Sequence, residues 1–133
     1  MNTMVIGVGS NLTPEKNIPQ GLKLLSAHFK IVKTSQFVKN PPQGNLEQPD
    51  FINGAVLVET ILSQQEVKVV LKNLEVQMGR TNAMHCYKPR IIDFDIHVYN
   101  GQIIDEYFYK WKFLRNIILE LLPNLVYDQA KLP

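Results

Sequence analysis

The chain has a single cysteine, Cys86, among its 133 residues. No disulfide framework can staple the fold, and a lone thiol fits a reducing compartment. Net charge is also scarce. Fourteen Lys and Arg against twelve Asp and Glu leave +2, too little to hold nucleic acid by charge alone. Long apolar runs are missing as well: the N-terminal run from Met4 to Val8 is far too short for a signal peptide or a membrane span. Repeats, low-complexity tracts and linkers are absent from the pattern. What is left is ordinary globular composition, 45% hydrophobic and 20% charged. A chain of this length makes one domain, residues 1–133, burying roughly two-thirds of its unfolded surface. The expectation is a cytoplasmic protein with neither nucleic acid nor membrane as partner.

The most informative stretch runs from Lys88 to Tyr99. Ile92, Phe94, Ile96 and Val98 alternate with Asp93, Asp95, His97 and Tyr99, a period of two that predicts a half-buried strand with the aliphatic set on the core. The polar face then carries two carboxylates about 7 Å apart along the strand. Asp is depleted in strands, and like charges that close repel unless a cation sits beside them. Two readings stand: a hard divalent cation bound by oxygens, Mg²⁺ by preference, or a solvated outer face of an edge strand. Six of the fourteen Lys and Arg lie between Arg80 and Arg115, which fits an anionic ligand near a metal.

Met4 to Gly9 reads as a buried strand whose glycines, Gly7 and Gly9, share one face. They admit either a close approach to the backbone or a tightly packed helix. Thr13-Pro14-Glu15 predicts a helix start with Thr13 as cap, and Ile18, Leu22, Leu25 and Phe29 form its buried stripe. A strand is expected from Lys30 to Val38, then a long loop over Asn40–Pro49 with three prolines and a glycine. Phe51 to Glu59 resumes a strand. Ser63 to Glu66 is a capping box opening a helix with Val67, Val70, Leu71, Leu74 and Met78 inward and Gly79 at its end. A second long loop spans Arg80–Arg90. Asn100-Gly101 predicts a hairpin turn, and Phe113 to Leu122 a last helix stopped by Pro123. The order is that of an α+β, ferredoxin-like βαββαβ core with an added hairpin and C-terminal helix. One sheet face is expected to carry the helices, and the other to stay open for the two loops to close over.

Four motifs lie in register: Gly9-Ser10-Asn11-Leu12, Gln48-Pro49-Asp50-Phe51-Ile52-Asn53, Leu74-Glu75-x-x-Met78-Gly79-Arg80 and Lys88-Pro89-Arg90-x-x-Asp93-x-Asp95-Ile96. In order and spacing they resemble the 6-hydroxymethyl-7,8-dihydropterin pyrophosphokinase family of folate biosynthesis. The resemblance implies transfer of pyrophosphate from ATP, as co-substrate, to a pterin alcohol, with release of AMP. It implies two Mg²⁺ ions held by Asp93 and Asp95, aligning an in-line displacement. Arg90 and Arg80 match arginines that face the phosphates and a mobile loop, a role suited to a planar charged fork. Asn53 matches the amide that reads the pterin edge. Tyr87 and Phe113 match the aromatics that sandwich its ring, and Phe51 lines the same slot. Pro41 and Gln43 complete the implied substrate set, while Arg90, Ile96, Lys72, Lys110 and Lys112 form the implied ATP set. Glu75 is read either as a structural partner of an arginine or as a ligand contact.

The chain departs from that pattern where Asn40, Gln43, Asn82 and Tyr87 stand, and most strongly between Ile104 and Phe113. There the family has a longer segment with further nucleotide contacts, and Lys110 and Lys112 are the residues left to supply charge. The metal strand and pterin slot are kept, so ATP is expected to bind less tightly than they alone would suggest. Two further readings stand beside the enzyme: a pterin- or nucleotide-binding module without turnover, and an unrelated ferredoxin-like phosphotransferase acting on nucleic acid.

Overall fold

The computed structural model describes residues 1–41, 49–79 and 90–133. Among these, one antiparallel sheet of six strands and four α-helices make an α+β domain. The elements are β1 (Asn2–Ser10), α1 (Pro14–His28), β2 (Lys30–Thr34), β3 (Val38–Asn40), β4 (Phe51–Thr60), α2 (Gln64–Gln77), β5 (Asp93–Tyr99), β6 (Gln102–Ile103), α3 (Tyr107–Lys110) and α4 (Lys112–Leu121), with a 3-10 turn at Gln129–Lys131. The strands lie in the order β2-β4-β1-β5-β6, with β3 also on β4. β1 is therefore central, paired along its length with β4 on one side and β5 on the other.

Local chemistry explains most element ends. Ser63 accepts from the Glu66 N–H, and Glu66 accepts from the Ser63 N–H, completing the expected capping box. Gly79 follows α2 at φ +103°, where a glycine costs least. Asn100 and Gly101 both have positive φ, as a two-residue hairpin turn requires. Thr13 differs from expectation. It precedes α1 in a left-handed conformation and its side chain makes no cap bond; Asn17 instead donates to the Leu12 carbonyl at 2.6 Å.

The strand expected from Lys30 to Val38 is broken in two. Ser35 interrupts it with its N–H on the Ala55 carbonyl, while its hydroxyl accepts from the Ala55 N–H, both at 2.9 Å. Phe37 then turns its ring onto Gly54, where a Cβ would collide with it.

A second difference concerns the alternation of β5. Val5 pairs with Val98 and Ile6 with Ile96, so His97 is an extra residue in a β-bulge. Ile92 and Phe94 join the core under α1 and α2 with Met4, Ile6, Val8, Leu25, Val67, Leu71 and Leu74. Val98, expected there too, lies on the opposite face with Val5, Ala55 and Leu57, and Tyr99 packs on the α1–α2 side.

That opposite face is not left open. Phe108 of α3 and Leu114, Ile117, Ile118 and Leu121 of α4 pack on Val5, Ala55, Leu57 and Val98 as a second core. The sheet is thus the middle of three layers. An aliphatic stripe as strong as that of α4 has to be buried somewhere, and this face is where it goes. If α4 is integral to the fold, Ile118→Ala, at a fully buried position, will lower unfolding free energy by about 2–5 kcal/mol in denaturant titration. A loss below 1 kcal/mol would show α4 to be a detachable cover.

Candidate functional site

The candidate site starts from one row across three strands. Asn53 of β4 pairs with Gly9 of β1, and Gly9 pairs on its other side with Asp93 of β5. The next row is Ala55, Gly7 and Asp95. Asn53 and Asp93 therefore stand about 10 Å apart, two strand spacings, across a floor without side chains. The glycines serve their neighbours: a Cβ on Gly9 would strike the Asn53 side chain and approach the Phe51 ring, and one on Gly7 would strike the His97 ring. Of the two alternatives left by the sequence, the structure has the close approach to the backbone, and no helix fills the space. The side chains of Asn53 and His97 do.

Asp93 and Asp95 point to the same face, and Arg90 places Nη1 3.3 Å from Asp93 Oδ2. Glu75 of α2 accepts from the Phe94 N–H at 2.7 Å, tying the helix to the outer edge of β5. The Asp95 carboxyl is pushed up to about 7: loss of water in the recess is the largest cause, the charge of Asp93 next, with Glu75 adding and His97 opposing. Asp95 still presents surface to solvent, which tempers the size of the effect and not its direction. The bulge aims His97 into this face, where Nδ1 donates to Asp105 Oδ2 at 2.5 Å.

Beneath the two ends of the long loops sits Asn11, 2% exposed. Its N–H donates to the Arg90 carbonyl at 3.1 Å and its Oδ1 accepts from the Arg90 N–H at 2.5 Å. Its Nδ2 donates to the Pro49 carbonyl at 3.2 Å. One buried amide thereby fixes the chain entering β4 and the chain entering β5.

Beside the carboxylates lies a cavity of about 380 Å³, lined by Gln64, Lys68, Lys72 and Glu75 of α2, by Asp93, Asp95 and Ile96 of β5, and by Ile104, Asp105 and Tyr107. Of the residues expected from sequence, Lys72 and Ile96 line it. Phe51 and Asn53 stand across the glycine floor, and Pro41 is exposed just beyond β3. Phe113 is half-buried at the second position of α4. Lys110 lines a neighbouring cavity of about 530 Å³ that shares Ile104 and Asp105, and Lys112 is exposed at the start of α4. Arg80, Tyr87 and Gln43 lie outside the described residues. Sequence reasoning missed Lys68, although its spacing of four from Lys72 puts both on one helix face. It also missed Asn11, His97, Asp105 and Tyr107 as parts of the site.

The donor set suits a hard cation. Among the described residues no group of three or more His, Cys, Asp or Glu could enclose a metal ion. Two carboxylates on one strand face fit magnesium, which takes one or two carboxylates together with substrate phosphates, better than a closed zinc cage.

The model of the 7,8-dihydro-6-hydroxymethylpterin-pyrophosphokinase family matches residues 5–123. The chain belongs to this family. It is 36% identical over 107 residues to a protein of Haemophilus influenzae named 2-amino-4-hydroxy-6-hydroxymethyldihydropteridine pyrophosphokinase, covering 78% of this chain and 66% of that one. A protein of the same name from Helicobacter pylori is 33% identical over 107 residues, covering 77% and 66%. The bifunctional protein FolKE of Lactococcus lactis subsp. cremoris is 33% identical over 109 residues, covering 80% and 31%. The chain thus spans just under two thirds of the first relative and under a third of the last. Among the described residues no helix is long and apolar enough to cross a membrane.

A carboxyl with a raised folded pKa makes its stabilising contribution below its unfolded pKa of about 4, and that contribution is lost as the pH rises through about 7. In metal-free protein, Asp95→Asn will therefore be the more stable form at pH 8, by about 1 kcal/mol after allowance for solvent screening. The advantage will shrink as the pH falls toward 4, and Mg²⁺ will stabilise the wild type and not the variant. Thermal melts with and without EDTA check all three; a destabilised Asp95→Asn at pH 8 would contradict the assigned repulsion.

Proposed function

We propose that this family member transfers pyrophosphate from ATP to 6-hydroxymethyl-7,8-dihydropterin, releasing AMP, with Asp93 and Asp95 holding Mg²⁺. The observation that carries the reading is the single row Asn53–Gly9–Asp93. It sets an amide able to read a heterocycle's edge within one small molecule's length of a carboxylate pair. In the reaction the alcohol oxygen bonds the β-phosphorus as the bond from that phosphorus to the oxygen bridging it to the α-phosphate breaks; AMP leaves with that oxygen, and the hydroxyl proton passes to water. Magnesium bound at the pair would offset charge on the transferring phosphates. The chain's own part is positioning and charge. Asn53 and Phe51 orient the pterin, with Phe113 and, from the resemblance, Tyr87, Pro41 and Gln43 completing the slot. Lys68 and Lys72 face the cavity that also holds the carboxylates, where cations suit phosphate oxygens. Arg90 is held at Asp93, and Arg80 joins it in the family pattern.

The strand order supports the ferredoxin-like reading. β4 lies between β1 and β2, the strands joined by α1, and β1 lies between β4 and β5, the strands joined by α2, which is a doubly split βαβ arrangement. The lone cysteine supports a reducing, cytoplasmic setting.

Release of AMP dependent on both pterin and Mg²⁺ is the test. Asp93→Ala will lower kcat/KM by about 10²-fold or more, since charge stabilisation by the metal is worth several kcal/mol, while the melting point of the metal-free protein holds or rises. A wild type that binds both ligands in calorimetry but forms no AMP would be the binding module instead.

A further inference from the structure

We propose that Trp111 is a positioning residue that ties the nucleotide side of the site to the ring slot, a role that rests on the pyrophosphokinase reading. Trp111 stands between two other rings. Its centroid is 4.2 Å from that of Tyr107 and 5.9 Å from that of Phe113, each pair inclined by 13°. Nearby core rings meet edge-on instead, Phe108 with Tyr109 at 80° and Phe108 with Tyr127 at 64°. The three parallel rings are also not a buried cluster: Tyr107 is 45% exposed, and Trp111 and Phe113 are half-buried.

The two ends of the stack reach different places. Tyr107 lines the cavity that holds Asp93, Asp95, Lys68 and Lys72. Phe113 opens α4, and the far end of that helix, Leu121, shares a cavity with Thr3 and Val5 of β1 and Leu57 of β4. The first turn of α4 carries the ring that the pyrophosphokinase reading assigns to the pterin slot.

The corner between the ends is fixed. Trp111 is extended, at φ −112° and ψ 110°, between two helices. Its N–H donates to the Tyr107 carbonyl at 2.8 Å, and its carbonyl accepts from the Arg115 N–H at 3.0 Å. Arg115 Nη1 donates to the Phe108 and Tyr109 carbonyls at 3.1 and 3.0 Å. A ring locked at this corner sets the tilt of the ring on either side. Tyr107, the exposed end of the stack, can offer its ring to another flat ring, of pterin or adenine type.

Trp111 is the only tryptophan in the chain, so tryptophan emission reports this position alone. Titration of the wild type with a non-hydrolysable ATP analogue and Mg²⁺ will change that emission saturably. Trp111→Leu will raise KM for both ATP and pterin by about two- to tenfold, the worth of one or two ring contacts. Its kcat will stay within about twofold, and Trp111→Phe will restore both constants. Should Trp111→Leu fail to fold, Tyr107→Leu carries the same test, because KM for the pterin must rise although the change is on the nucleotide side. Unaltered emission at saturating analogue would overturn the proposal. So would a fall in stability and kcat with both KM values unmoved, which is the mark of a purely structural corner. A wild type that forms no AMP defeats the activity reading alone; the emission titration and calorimetric pterin affinity of Trp111→Leu then decide whether the stack couples the two ligands.

Discussion

The structure depends on a central strand that gives up its side chains where the site needs room. β1 is hydrogen-bonded on both edges, to β4 and β5, and its other positions, from Met4 to Val8, feed two cores on opposite faces. At Gly7 and Gly9 it presents only backbone, and His97 and Asn53 lean over that backbone from either side. Glycine in a strand interior costs roughly 0.5–1 kcal/mol relative to alanine. That cost is small beside what a methyl group would do here, since it would displace the amide or the imidazole. The same two positions lie between the carboxylates and the amide on one face of the sheet.

Asn11 supplies the second constraint. Its bonds span 38 residues to Pro49 and 79 residues to Arg90, so three segments far apart in sequence meet at one buried side chain. A buried amide left without partners would cost about 1–3 kcal/mol for each unmet group. The arrangement is therefore close to all-or-none: Arg90 reaches Asp93 from a backbone that Asn11 has already fixed. The backbone at Arg90 and the chain entering β4 are thus held by hydrogen bonds made beneath the site.

How far the sequence could be read follows from the range over which each interaction acts. The capping box at Ser63–Glu66 and the turn at Asn100–Gly101 are local chemistry and were legible. The alternation that places Asp93 and Asp95 on one face holds as far as Ile96. It fails at His97, because a bulge is set by register against β1 and leaves no mark in the strand's own pattern. Leu114, Ile117, Ile118 and Leu121 form a stripe at helical spacing, so a covering partner was implied; which sheet face it would cover was not. Lys68 was recoverable from its spacing to Lys72, and the ring pair Tyr107–Trp111 from its spacing of four. Asn11 was not recoverable in role, since only the folded chain brings Pro49 and Arg90 to it.

The carboxylate pair would be a poor bargain on a strand held by hydrogen bonds alone. Two like charges about 7 Å apart repel by roughly 2 kcal/mol in the effective dielectric of a protein surface. On the reverse side Phe94 of the strand and Ile92 just before it are buried, and burying such a side chain stabilises by about 1.5–3 kcal/mol each. The apolar face therefore outweighs the repulsion on the polar one, and Glu75, by accepting from the Phe94 N–H, closes the outer edge where β6 no longer reaches. Because the fold is secured from behind, the front can hold negative charge that nothing in the core requires. That charge shares a face with Gly7 and Gly9, whose missing side chains leave room for the His97 ring and the Asn53 amide beside it.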